Sequence, residues 1–375
     1  MPNKPRTKAR NNWIDVLRGL AILGILSVHT IQITDVFSYG DKSVAFTYVM
    51  GLGKYGVEVF FFISGWLLVS IYDIKGRNLG KAYFARRLGR IYPLWLIFFC
   101  INLIILKING ALFFGGQDLI DTHGITLITL LTLTFTLFIS SALWNGVIPG
   151  GWSIQAEVAH YLSFPLIRKT SLDLVLKISI GINAFTASVE FFKPKFEQYS
   201  LTLSSILDAW IRLSFYSTSG YFLIGILSWI IFSKITNGER NNLSFSELGI
   251  SHNTFIFFCA SMLIIPCPFG KQIEAIGYLS FMLLISIGIL KNKMLNNFFR
   301  ILGKYSYFIY FAHFIALNSI NWVFKSNEFL FIKILPQQLL YLLILLYILI
   351  FSLLFAVPSM KYIEKPIIKI ASRVK

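Results

Sequence analysis

Histidine and arginine embedded in apolar sequence are the first places to look for chemistry. The stretch NNWIDVLRGLAILGILSVHT carries Asp15, Arg18 and His29. Ionisable groups cost energy in hydrocarbon and normally face a bundle interior or a water-filled cavity. Arg18 and His29 are eleven residues apart, and eleven helical steps of about 100° return to within roughly 20° of the start. The pair therefore shares one helix face, about 16 Å apart along the axis, with Ile22 and Ile25 between them. An imidazole with an unperturbed pKa of about 6.5 is suited to accept a proton from a hydroxyl. The ordinary alternative is an interfacial arginine plus a hydrogen-bonded packing histidine.

A second cluster lies in KAYFARRLGRIYPLW, which reads as a loop feeding a helix that starts at Tyr92-Pro93. Arg87 and Arg90 are three apart and share a face. Simple charge bias at a membrane surface explains many such clusters. Arginine at Arg86, Arg87 and Arg90 alike favours phosphate, because the guanidinium fork matches phosphate oxygens.

Further polar positions recur in other apolar stretches. KYGVEVFFFISGWLL holds Glu58, with Ser64-Gly65 permitting close helix approach. PGGWSIQAEVAHYLSFPLI holds Trp152, Ser153, Glu157, His160 and Tyr161, the last three at i, i+3 and i+4. In GKYSYFIYFAHF, Ser306, Tyr310 and His313 line one face, with Tyr307 beside them. A packing role is the simpler reading of His160. Cys100, Cys259 and Cys267 show no metal-binding pattern, so no metal site and no disulfide framework is expected.

The elements that would position these residues are membrane helices. Hydrophobic residues form 56% of the chain and charged residues 14%, against about a quarter in ordinary soluble domains. Apolar runs of roughly 20 residues recur throughout. They predict an all-α integral membrane protein, a polytopic bundle of about ten transmembrane helices near 13–33, 54–72, 88–107, 152–167, 172–190, 217–233, 254–269, 274–290, 303–323 and 337–358. Basic tails at 1–12 and 359–375 flank the membrane domain at 13–358. The first apolar run lacks a small-residue cleavage site and reads as a retained start-transfer helix. The net charge of +17 does not point to nucleic acid, since Lys and Arg fall in short loops rather than in an aromatic–basic patch.

The segment 125–143 is long enough to span, which would make eleven helices. Leaving it in the outer interface or re-entrant puts about 22 Lys/Arg in inside loops and about 8 outside. Counting it as a span largely removes that bias. Ten spans with both termini cytoplasmic is the expected topology. Arg87 and Arg90 then lie at the cytoplasmic face, Glu58 and Glu157 near outer ends.

These motifs together resemble the acyltransferase-3 family of bacterial membrane O-acyltransferases. The resemblance rests on Arg18-x10-His29, GVEVFFFISGWLL, RRLGRIYPLW, WSIQAEVAHYLSFPL, GKYSYFIYFAHF and the closing IEKP at 363–366, in the family's order. It implies an enzyme of the bacterial inner membrane that moves an acyl group, most often acetyl, from cytoplasmic acetyl-CoA to a hydroxyl of a sugar or glycan precursor. The family's Arg-x10-His pair maps onto Arg18 and His29, its Arg-x-x-Arg motif onto Arg87 and Arg90, and the glutamate after its Trp-Ser pair onto Glu157. Glu58 stands where aspartate is more usual, and Trp66 where Phe is expected. Some members carry an esterase-like C-terminal domain. None is visible here, so transfer is expected from the membrane part alone or with a separate partner.

The implied roles are His29 and Glu157 in catalysis and Arg18, Arg87 and Arg90 in acyl-CoA binding. Asp15, Glu58, Ser64, Trp152, Ser153, Tyr307, Tyr310 and His313 support them or bind the acceptor. No resident cofactor is expected; acetyl-CoA is a co-substrate. The expected partners are the acyl donor, a carbohydrate acceptor and the lipid bilayer, and a homo-oligomer is compatible with such a bundle. A transporter or flippase for a sugar, lipid or acyl carrier would also use many spans with buried Arg, His and Glu, but would not need the RRLGR cluster.

Overall fold

A computed structural model describes residues 12–37, 43–74, 80–109, 130, 133–134, 147–181, 215–236, 253–254, 256–257, 271–325 and 335–374. Among these residues the regular structure is helical, with no strand. The principal helices are α1 (Asn12–Phe37), α2 (Val44–Gly51), α3 (Gly56–Ile74), α4 (Lys81–Asn109), α5 (Gly151–Lys169), α6 (Phe215–Thr236), α7 (Lys271–Lys291), α8 (Lys293–Lys325), α9 (Gln337–Ser359) and α10 (Lys365–Ala371). A 3-10 turn over Leu52–Tyr55 joins α2 to α3, and a π turn over Met360–Glu364 joins α9 to α10.

Four stretches are long and apolar enough to cross a bilayer: Asn12–Thr34, Val44–Tyr72, Lys81–Ile108 and Gln337–Ala371. Thr218–Ser233 and Ile276–Lys291 are shorter apolar helices. The ambiguous segment 125–143 lies almost wholly outside the described residues, as do most of 254–269 and the second half of 172–190.

Two helices begin earlier than expected. α8 starts at Lys293 rather than near 303, because Asn292 caps it: its Oδ1 accepts from the backbone N–H of Met294 at 3.0 Å and of Leu295 at 3.1 Å. α4 starts at Lys81, so the RRLGR residues are helical and Tyr92-Pro93 sits inside the helix rather than at its start. Pro93 deprives the Gly89 carbonyl of its usual partner. Arg87 and Arg90 consequently stand roughly 9 and 13 Å along the α4 axis from its first residue.

The described helices fall into two compact units, Met1–Phe60 with Ile276–Val357, and Phe61–Ala275 with Pro358–Lys375. In the first unit α1 crosses α8 at backbone contact. A Cβ on Gly303 would run into the Asp15 carbonyl, and one on Gly19 into the Phe299 carbonyl. Lipid supplies little hydrophobic drive between helices, so such close van der Waals packing carries the association. Val16, Leu17, Ala21 and Ile22 are fully buried along α1. Gln337 ties the start of α9 to α2: its amide donates to Thr47 Oγ1 at 3.1 Å and accepts from the Ser43 N–H at 3.0 Å.

The second unit uses the same device. Gly65 of α3 meets the Phe222 carbonyl of α6, and Gly225 of α6 meets the Phe62 carbonyl of α3. The Ser64-Gly65 pair thus permits the close approach expected of it. Gly89 of α4 lies under α10, where an added Cβ would come within 2.7 Å of the Ala371 Cβ. Much of α9, by contrast, exposes Leu339, Leu342, Leu346, Ile350 and Leu354, a face suited to lipid.

Candidate active site

In the first unit, the α1–α8 crossing brings two imidazoles together. The His29 and His313 rings stack with centroids 5.3 Å apart and planes 29° from parallel. Phe314 flanks both, at 4.9 Å from His29 and 4.0 Å from His313. Tyr310 stands 5.8 Å from His313, and Tyr307 packs edge-on against Phe311. His29 Nδ1 lies 2.9 Å from Gln32 Oε1, one turn further along α1. An amide oxygen only accepts, so Nδ1 carries the proton and the basic lone pair sits on Nε2. His313 Nδ1 lies 3.2 Å from the Ile309 carbonyl, which fixes the same tautomer. Its Nε2 is buried and has no hydrogen-bond partner among the described residues.

Such a pair offers a basic nitrogen held in one orientation, beside a second imidazole of the same tautomer. It suits proton abstraction from a hydroxyl. Arg18 stands eleven residues before His29 on α1, half-buried, at a separation that precludes direct contact. Asp15 is buried at the Gly303 crossing. Glu58, in the first turn of α3, is within electrostatic reach of Lys54 and Tyr278.

The second unit gathers Glu157, Ser64, Arg87 and Arg90 around Tyr161, a polar-edge residue with no role assigned from the sequence. The Tyr161 hydroxyl donates to Glu157 Oε1 one turn back on α5. Ser64 of α3 donates to the same oxygen at 3.1 Å. The Arg87 guanidinium lies over the Tyr161 ring at 5.3 Å and over Tyr72 at 6.0 Å, both within cation–π range. Arg90 is within electrostatic reach of Tyr161 and of Glu364 at the end of the π turn. Tyr83 completes the cage, donating to the Tyr161 carbonyl at 2.8 Å and meeting Tyr72 edge-on at 5.1 Å.

This arrangement alters the expected layout. Glu157 near an outer end and Arg87 at the cytoplasmic face would be far apart, yet one tyrosine contacts both. The only advance signal for Tyr161 was its i+4 spacing from Glu157.

Other selected residues have structural engagements. The Ser153 hydroxyl donates to the Gly150 carbonyl at 3.2 Å, at a turn where Gly150 takes a positive φ of 69°. Trp152 is half-buried beside it on α5. His160 stacks on Phe222 at 4.5 Å, with Nε2 3.0 Å from Thr218 Oγ1. The ring packs in the core as expected of it, with Nε2 engaged by Thr218.

Among the described residues no group of His, Cys, Asp and Glu could hold a metal ion. A family model described as an acyltransferase domain matches residues 11–357. The chain is also 27% identical over 184 residues to the acyltransferase MdmB of Streptomyces mycarofaciens, an alignment covering 48% of this chain and 46% of that protein. The chain thus matches about half the length of this curated relative. No solved structure matches.

Proposed function

Since the chain belongs to the acyltransferase-3 family, we propose that it is a membrane-bound O-acyltransferase acting on a cell-surface sugar or glycan precursor. It takes an acetyl group from cytoplasmic acetyl-CoA. Its topology is ten spans with both termini in the cytoplasm of a bacterium, in the inner membrane, the domain running from 13 to 358. The family match supports acyl transfer; acetyl as donor group and a sugar as acceptor are what the family resemblance implies.

The observation that carries the mechanism is the orientation of His29 by Gln32, which leaves Nε2 as the basic atom. The acceptor hydroxyl oxygen attacks the thioester carbonyl carbon while Nε2 of His29 takes its proton. The tetrahedral oxyanion is stabilised by donors such as Tyr310 or Tyr307. As the C–S bond breaks, the imidazolium returns the proton to the thiolate, and the products are the acetyl ester and free CoA. His313 buttresses the His29 ring.

Arg87 and Arg90 hold the donor's phosphates, and Arg18 is a separate candidate for acyl-CoA binding. Arg87 lies over the Tyr161 and Tyr72 rings, and the groups it would offer a phosphate are its in-plane N–H donors. Glu157, pinned by Ser64 and Tyr161, binds acceptor hydroxyls. Asp15, Glu58, Trp152 and Ser153 support these elements.

The test is release of free CoA from acetyl-CoA by purified protein, with and without glycan extract, for wild type and His29→Ala. Glycan-dependent release that is lost in the variant is the expected result. Normal release from a folded His29→Ala protein refutes the role of His29. No turnover by folded wild type across acyl donors and extracts favours the transporter reading.

A further inference from the structure

Next to the α1–α8 crossing lies a cavity of about 330 Å³, lined by Asp15, Asn297, Arg300, Ile301 and Lys304. The four α8 residues fall at i, i+3, i+4 and i+7, so they share one face of that helix. Gly19 and Gly303 bring the two backbones into contact, and the longer side chains beside them wall the hollow.

The wall combines one carboxylate with a guanidinium and an ammonium, a formal net charge of +1. Two cations four residues apart on a helix repel each other, and an anion between them relieves that repulsion. Arg300 Nε is buried and has no acceptor among the described residues. A buried guanidinium donor left unmade is costly, and a ligand oxygen would remove the cost. Lys304 directs Nζ to the Tyr305 hydroxyl at 3.2 Å, and an ammonium has three donors. Asn297, Arg300 and Lys304 have no part in the mechanism above.

We infer that this cavity binds the oxygens of an ester-linked phosphate, carried either by the nucleotide end of the acyl donor or by an anionic phospholipid headgroup. Arg300 supplies the planar fork, Lys304 a compact charge and Asn297 a neutral amide donor, a set matched to a phosphate oxygen cluster. The acyl-donor source rests on the proposed acyltransferase activity; phosphate binding at this cavity does not.

The test uses full-length protein in phosphatidylcholine nanodiscs, with three probes. These are coenzyme A, its analogue lacking the 3′-phosphate, and nanodiscs doped with phosphatidylglycerol. Affinity is read for the soluble probes and thermal midpoint for the lipid. Wild type should respond to coenzyme A over the analogue, or to phosphatidylglycerol, and the responding arm identifies the source. Arg300→Gln and Lys304→Gln should each weaken that response about ten-fold or more, with partial retention in Arg300→Lys. The exposed Lys304 position keeps the test decisive if Arg300→Gln fails to fold.

Equal responses of wild type and folded Lys304→Gln to all three probes overturn the inference, as does a wild type indifferent to all of them. Acetyl-CoA turnover is measured on the same samples. Absent turnover with a cavity-dependent phosphate response overturns the acyltransferase reading alone. Normal turnover with responses unaltered by either substitution overturns the phosphate site alone.

Discussion

Replacing Tyr161 by Phe removes one oxygen from the second unit and leaves the ring under Arg87 in place. That oxygen donates to Glu157 Oε1, which also accepts from Ser64 at 3.1 Å. A hydrogen bond to a charged group contributes about 1.5–3 kcal/mol, and a neutral hydroxyl bond about 1 kcal/mol. If the Glu157 carboxylate must be held in place for acceptor binding in the transition state, Tyr161→Phe should lower kcat by about 10- to 150-fold. The Arg87–ring contact survives, so KM for acetyl-CoA should stay within about two-fold.

Ser64→Ala removes a bond to the same carboxylate and should cost about ten-fold in kcat, the low end of that range. Because both donors serve one oxygen, the two losses should not add. Once Tyr161 no longer pins the carboxylate, removing Ser64 should cost less, leaving a coupling of about 0.5–1 kcal/mol in a double-mutant cycle. Tyr161→Leu, which deletes hydroxyl and ring face together, should lower kcat and also raise KM for acetyl-CoA. The assay is steady-state CoA release at saturating acceptor, with folding checked by size-exclusion profile. Wild-type kcat in a folded Tyr161→Phe protein, or strictly additive losses with Ser64→Ala, would refute the claim that Tyr161 positions Glu157.

Three further outcomes follow from the packing. Gly303→Ala drives a Cβ into the Asp15 carbonyl and should separate α1 from α8, lowering the thermal midpoint in detergent by the equivalent of several kcal/mol. Gly89→Val should press on Ala371 and release α10, at a cost of about 1–3 kcal/mol, read as faster proteolysis after residue 359. Asn292→Ala removes the acceptor for two α8 N–H groups and should destabilise the protein by about 0.5–2 kcal/mol, seen as increased amide exchange at Met294 and Leu295.

Apolar run lengths were enough to locate most of the described helices, since hydrocarbon tolerates no other open backbone. The polar residues inside those runs were legible for the same reason, being costly exceptions. Contact between His29 and His313 was not, because 284 positions separate them and no local pattern encodes which helices cross. Tyr92-Pro93 imitates a helix opening and masks the true start of α4, because KAYFARRLG is itself helix-compatible sequence. In the sequence Tyr161 is legible only as part of a polar edge, since a tyrosine there also fits an interfacial anchor. The early start of α8 hinged on one side-chain cap, at Asn292.

The π turn at Met360–Glu364 fixes the phase of the chain's last helix. Its closing bond runs from the Lys365 N–H to the Met360 carbonyl, one residue more than an α-helical turn encloses. That extra residue advances everything beyond it by about 100°. Glu364 is thereby buried within reach of Arg90, and Ala371 faces the gap left by Gly89. Point substitutions around 360–364 leave that angular setting intact, whereas deleting a single residue would rotate α10 away from its seat. This stretch should therefore accept changes of spelling but not of length.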